Sequence, residues 1–304
     1  CIRDRRTAAL LADTDEGFAL VTEPGEAIHL AWRGEIVAAL SAGKTLLTPD
    51  IILDRTLSAL TPEQQARIAQ RLKAWIARTT GRVLGPLRRI DAALNAEQTD
   101  PAIRALLAPL LESGGILARK TALGPLGQLD KQQRHRIGRL GLTIGALDIF
   151  HGALMKPEPT RWRLALAAAL NARPMPELPP AGAVLLPEPR GATLAAWREA
   201  GFRGFAGQML RIDMAERVAR AAHDARTGKE PFLPDPAFST SLGLSEAALA
   251  RLMQALGFQP APPQTEGGPG RWAWRGRRAP KSKPRKAAPG NAFAKLAELD
   301  LGKK

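Results

Sequence analysis

Residues 271–304 carry far more positive charge than a compact domain needs. The stretch reads RWAWRGRRAPKSKPRKAAPGNAFAKLAELDLGKK and carries eight Lys/Arg and no acid between positions 271 and 286. Like charges at that density repel one another. They leave too little apolar surface to offset the entropy lost on folding, so the segment either solvates itself or lies on a polyanion. Folded domains must come from the chain ahead of position 276. The charge is correspondingly lopsided. Residues 271–304 hold 11 basic and 2 acidic side chains, a net +9, whereas the preceding 270 residues carry 33 and 27, a net +6.

The 304 residues, 45% of them hydrophobic, suffice for about two domains, or for one with appendages. A single cysteine, Cys1, excludes an internal disulfide framework and a cysteine-rich zinc site. Cys1 stands where an initiator Met is expected, so the sequence reads as part of a longer protein. It contains no lysine-led apolar signal segment and no apolar run of about 20 residues, which predicts a cytoplasmic, non-membrane protein.

Punctuation and periodicity divide the rest. Within residues 16–53, GFALV, AIHLAWRG and EIVAALSAG are short apolar runs split by Pro24-Gly25, Gly34 and Gly43, the pattern of a three-stranded antiparallel meander. Thr61-Pro62-Glu63-Gln64 marks a helix start, and Ile68, Leu72, Trp75, Ile76 and Thr79 then recur on one face. Further helices open at Pro101 and after Asp130, and another covers 160–171. Residues 173–192 hold six prolines and predict a rigid extended connector or a surface-hugging segment. Beyond it, helices cover 193–200 and 212–225, and Ser245 caps one ending at Gly257. The expected organisation is a small β-rich element over 1–56, a helical domain over 57–172, the connector 173–192, a second helical module over 193–275, and a basic flexible tail over 276–304. The fold class is mainly α with a small antiparallel β meander near the N-terminus.

Catalytic motifs are absent from the sequence. Ser41-Ala42-Gly43-Lys44-Thr45 echoes a phosphate loop, but Ala38 stands where its first glycine belongs and the segment reads as strand–turn–strand. There is no H-E-x-x-H and no G-x-S-x-G. The four histidines, His29, His135, His151 and His223, are widely separated, and His151 lies near Asp148. No nucleophile lies close in sequence, and a structural histidine is the simpler reading.

Binding signals are stronger. A helix with Leu244, Leu249, Leu252, Met253 and Leu256 on its apolar side, followed by an aromatic strand, suits either a winged-helix-like module or a small helical hairpin docked on its neighbour. Trp272 and Trp274 share one face of that strand, where core packing is favoured over base stacking. Arg119, Lys120, Lys131 and Arg134 belong to a basic cluster that suits either a phosphate-facing ridge or an ordinary solvated helix. Around Arg211 an Arg211–Asp213 or Asp213–Arg217 pair is expected.

Taken in order, these segments resemble the region following the motor domains in bacterial Suv3-like superfamily 2 ATP-dependent helicases, especially alphaproteobacterial ones. The matching residues are Asp130-Lys131, Arg134, Arg139-Leu140-Gly141, Ile144-Gly145, Ile149-Phe150 and Leu154-Met155-Lys156-Pro157. The likeness continues through Leu178-Pro179-Pro180-Ala181-Gly182, Ala200-Gly201-Phe202-Arg203, residues 210–217, Phe232, Pro234-Asp235 and Leu256-Gly257-Phe258, and closes with residues 272–275 and the tail. The resemblance implies an accessory region that packs on RecA-like motor domains and touches nucleic acid. No motor motif is present to carry over. ATP and Mg are therefore expected for the parent helicase motor, and no cofactor or metal for this chain.

The expected function is non-specific contact with single-stranded RNA or DNA. The candidate contacts are Arg271, Arg275, Arg277, Arg278, Lys281, Lys283, Arg285 and Lys286, with Arg119, Lys120, Lys131 and Arg134 beside them. Six to eight tail charges on a single strand would give log affinity against log salt a slope of about −4 to −6. The alternative is a protein-interaction module, in which residues 291–299, apolar at Phe293, Leu296, Ala297 and Leu299, dock as a short helix in a partner's groove.

Overall fold

The structure is a computed structural model that describes residues 2–263 and 270–276. Among these residues it is mainly helical, with small antiparallel sheets. Arg277, Arg278, Lys281, Lys283, Arg285, Lys286 and the docking segment 291–299 lie outside the described residues.

Helix α1 (Ile2–Ala12) leads into a four-stranded meander, β1 (Phe18–Val21), β2 (His29–Trp32), β3 (Glu35–Thr45) and β4 (Thr48–Leu53), paired in that order. The expected three strands are present, with β4 added at one edge. Arg33 and Gly34, both at positive φ, make the two-residue turn between β2 and β3. The phosphate-loop echo falls on β3 and its turn, where the Thr45 and Thr48 hydroxyls meet at 2.7 Å. Thus Gly43-Lys44-Thr45 runs into a hairpin rather than a helix.

Helix α2 (Pro62–Val83) starts at the expected cap. The Thr61 hydroxyl accepts from the Gln64 N–H, and the Gln64 side chain accepts from the Thr61 N–H. Its buried face is Ile68, Leu72, Trp75, Ile76 and Thr79, as the spacing predicts. Then come α3 (Gly85–Asn95), α4 (Pro101–Glu112), β5 (Ile116–Ala118), a 3-10 turn over Arg119–Ala122, α5 (Leu123–Gln128) and α6 (Lys131–Arg139). Strands β6 (Leu142–Ile144) and β7 (Asp148–His151) form a hairpin, and β7 sits between β5 and β6 in a second sheet.

Helix α7 (Pro157–Leu170) is buried on nearly every side and packs against the first sheet and α2. Trp162 meets Trp75, which in turn meets Phe18, with ring centroids 5.8 and 6.0 Å apart. These rings lie in the main core, which extends from the meander through α2–α4 to the second sheet.

The proline-rich segment 173–192 runs along this body. Met175 exchanges two backbone hydrogen bonds with Gly25 and Glu26, and its side chain is buried in the main core. The segment ends in β8 (Leu185–Pro187). After α8 (Ala192–Glu199), β9 (Phe202–Phe205) and β10 (Gln208–Arg211) complete a sheet ordered β8-β10-β9. The main core continues through Trp197, Phe202, Met209 and Ile212.

A second core gathers α9 (Ile212–Ala225), α10 (Ala237–Leu242), α11 (Glu246–Leu256), β11 (Phe258–Ala261) and β12 (Arg271–Trp274). Ser245 caps α11 by accepting from the Ala248 N–H at 3.2 Å. Trp272 pairs with Pro260 on one side and exchanges two backbone hydrogen bonds with Phe232 on the other, so β12 is central in a small three-part sheet. Trp272 is buried and Trp274 half-buried; Arg226 lies over the Trp274 ring, 4.6 Å from its centroid. Of the two ion pairs expected around Arg211, the one with Asp213 is present, with Nε and Nη2 at 2.8 and 3.0 Å from the two carboxylate oxygens.

Candidate functional site

A cleft of about 1090 Å³ opens where the two cores face each other. This is slightly above the range for small-molecule sites, roughly 300–1,000 Å³. The end of α4, β5 and the turn after it, the β6–β7 loop, α7, the end of α8, β9 and α11 all contribute. Its apolar walls include Ile116, Leu147, Leu164, Ala167 and Phe205. Six cationic side chains reach it, Arg119, Lys120, Arg163, Arg173, Arg198 and Arg203, against three carboxylates, Glu112, Asp148 and Glu199.

Two backbone features shape the walls. At the end of α4, Gly115 has φ +83°, and a Cβ there would lie 2.4 Å from Leu154 Cδ1. Only glycine lets the chain turn so tightly into β5. In the β6–β7 loop the Ala146 N–H donates to Glu216 Oε2 of α9 at 2.5 Å, and a Cβ on Gly145 would meet that same oxygen. Glu216 thereby fixes the loop that carries Leu147 and Asp148.

Asp148 is buried, and Arg203 turns both Nε and Nη2 onto its Oδ1, with Nε at 3.1 Å. Oδ2 has no hydrogen-bond partner among the described residues. Burial pushes this carboxyl above the usual carboxylate range, opposed first by Arg203 and then by Lys120. Arg203 spends its Nη1 on the Arg198 and Phe202 carbonyls at 2.9 and 2.8 Å. It is the fixed post of the cleft.

Arg163 lies deeper, on α7, and is 2% exposed. Its Nη1 donates to the Gly114 and Glu199 carbonyls, each at 3.3 Å. Nε and Nη2 have no acceptor among the described residues. Burial pulls the guanidinium down to about 10, opposed by the Glu199 charge, so it remains cationic at neutral pH. At the rim, Arg173 faces both Glu199 carboxylate oxygens at 3.4 Å.

The structure brings together some of the residues singled out by sequence and separates others. Arg119 and Lys120 lie on the cleft wall, where Arg119 also donates to the Gly145 carbonyl at 2.7 Å and Lys120 is exposed. Lys131 and Arg134 are on α6, away from the lining; Arg134 donates to the Leu126 and Leu129 carbonyls at 2.7 and 3.2 Å and so caps α5. Arg271 donates to the Pro231 carbonyl, and Arg275 is exposed just beyond β12. Asp148 and His151 do not pair. Asp148 turns to Arg203, while His151 Nδ1 accepts from the Ala153 N–H at 3.1 Å and burial lowers the imidazole's pKa.

Sequence reasoning missed Arg163, Arg173, Arg198 and Arg203. Arg163 carried a usable signal, a cation set directly before the uncharged apolar run 164–170 of α7. The other three gave none, because their partners lie far along the chain.

No family model, curated protein or solved structure matches this chain. The phosphate-loop echo does not form a phosphate loop: Lys44 is exposed on a strand, and β4 rather than a helix follows Thr45. Among the described residues no cluster of His, Cys, Asp and Glu could hold a metal ion, and no helix is long and apolar enough to cross a membrane.

Proposed function

We propose that this chain is a non-catalytic, nucleic-acid-binding accessory region of an ATP-dependent helicase, and that the cleft carries single-stranded RNA or DNA. One observation carries the reading: apolar walls and a cationic excess occur in one open groove. A single strand presents both an apolar base face and a phosphate backbone, and proteins that hold it without sequence preference pair a basic track with apolar or aromatic surfaces.

The neighbouring module supports the same reading. The order α9, Phe232, α10, α11, β11, β12, with β12 between Phe232 and β11, suits the winged-helix-like reading. Its α11 lends Ala255 to the cleft. The exposed face of α11 carries Glu246, Arg251 and Gln254, a nearly neutral set, so the cations of the body provide the attraction.

The test is single-strand affinity as a function of salt. Lys120→Gln with Arg198→Gln removes two cations that reach the cleft. The binding isotherm should weaken, and the slope of log affinity against log salt should become shallower by about 1.4. Unchanged affinity and slope would remove the cleft from the strand's path.

A further inference from the structure

We infer that Arg163 forms the floor of an oxyanion subsite in the cleft, and that a phosphate group is the acceptor for its Nε and Nη2. The inference rests on the single-strand reading only for the source of that phosphate.

The argument begins with which two nitrogens lack an acceptor. Nε–H and Nη2–H are neighbours on one edge of the guanidinium, with parallel N–H bonds spaced to fit two oxygens of a carboxylate or phosphate. The same protein uses that edge for oxyanions elsewhere. Arg78 places Nε and Nη2 on Asp15 Oδ2 and Oδ1 at 2.8 and 2.7 Å. Arg211 does so with Asp213, and Arg203 puts both nitrogens on Asp148. Among the described residues Arg163 engages only its far nitrogen, Nη1, and with carbonyls rather than a carboxylate.

Energetics point the same way. A buried cation without a hydrogen-bonded counter-charge is costly, and an apolar side chain of similar volume would suit a purely structural position in an apolar helix better. Arg163 keeps its charge while lining the cleft, and both acceptor-less nitrogens are covered from solvent, so an oxyanion reaches them only as the side chains over that edge shift aside. Two further features suit a phosphate. Arg173 stands at the rim, making long contacts to the partly exposed Glu199 carboxylate, which an arriving oxyanion can replace. The Glu199 carbonyl and Gly114 carbonyl hold the guanidinium from the opposite side, so its orientation is set before a ligand arrives. A side chain locked in this way loses little entropy on binding.

Phosphate could reach the site as a phosphodiester of the strand or as a free anion, and the experiment separates them. The Arg163 Nε–H resonance of the full chain, assigned through its own side-chain carbons, is followed during titration with a ten-nucleotide single strand and, separately, with inorganic phosphate. A shift with the oligonucleotide places a phosphodiester on Arg163. A shift with inorganic phosphate alone makes a free phosphate the ligand and still upholds the subsite. An oligonucleotide that binds elsewhere, with the Arg163 resonance unmoved by either titrant, overturns the subsite but leaves strand binding standing. No response to either titrant and no oligonucleotide binding by any measure overturns both. Arg163→Lys, which retains charge but not the paired N–H edge, should lose about tenfold in affinity for whichever ligand moves the resonance. Because the titrations use the unaltered protein, the inference stays testable if that variant does not fold.

Discussion

Glu216 and Ala146, 70 residues apart, are joined by a hydrogen bond from the Ala146 N–H to Glu216 Oε2. It ties α9 of the second core to the loop whose Leu147 and Asp148 line the cleft. Glu216→Ala would leave that N–H unpaired and half-buried. The expected cost is about 1–3 kcal/mol in the urea unfolding free energy, with oligonucleotide affinity falling alongside. A loss of stability with affinity intact would show that the loop's position is immaterial to binding.

Trp162 sits where α7 meets α2, with its ring against Trp75. Trp162→Ala should destabilise the fold by about 3–5 kcal/mol, read as a lower urea midpoint. A cost below about 1 kcal/mol would mean that the main core is not organised around α7.

The tail and the cleft should separate by their salt dependence. Deleting residues 276–304 should make the slope of log affinity against log salt shallower by about 4 to 6, if six to eight of its charges meet phosphates. The deletion variant should keep measurable low-salt binding through the cleft. An unchanged slope would assign the whole electrostatic contribution to the folded body.

Asp15 gives an acid-side signature. Hydrogen bonds from Arg78, then Arg71, hold its carboxyl down to about 2, below the unfolded value of 3.8. A depressed carboxylate stabilises the fold above its unfolded pKa, and that contribution is lost as pH falls through the folded one. Wild type should therefore lose stability between about pH 4 and pH 2. Asp15→Asn, less stable at pH 7, should show a shallower fall over the same window. Because the pair is partly exposed, the difference should shrink in high salt. Parallel curves for the two proteins would exclude Asp15 as a contributor to the acid transition.

The helices that sequence specified best are those with chemical end-marks. Thr61 and Gln64, Asp130 and Gln133, and Ser245 each form the caps their types imply. The apolar spacing of α2 survives as a buried face. What sequence did not show are the short non-local pairings. β5, β6 and β8 are three residues each, too few for alternation to register, and β8 lies within the proline run. The β9–β10 hairpin turns on Ala206-Gly207, both at positive φ, without the Asn or Asp that usually marks such a turn. Helix α1 is weakly amphipathic and bears no marked start, so periodicity passed over it. The site followed the same rule. Arg119 and Lys120 were visible as adjacent cations, whereas the Asp148–Arg203 pair spans 55 positions and exists only through the fold.

Met175, anchored in the main core within the proline-rich run, has a consequence for how the molecule comes apart. Chain on both sides of that run contributes to one hydrophobic interior, so neither side can melt while leaving the other a complete interior. The groove draws its walls from both sides and should disappear in the same transition. Anything that occupies it is then linked to the melting of the whole by mass action, so a bound strand should raise a single unfolding temperature rather than split the transition in two.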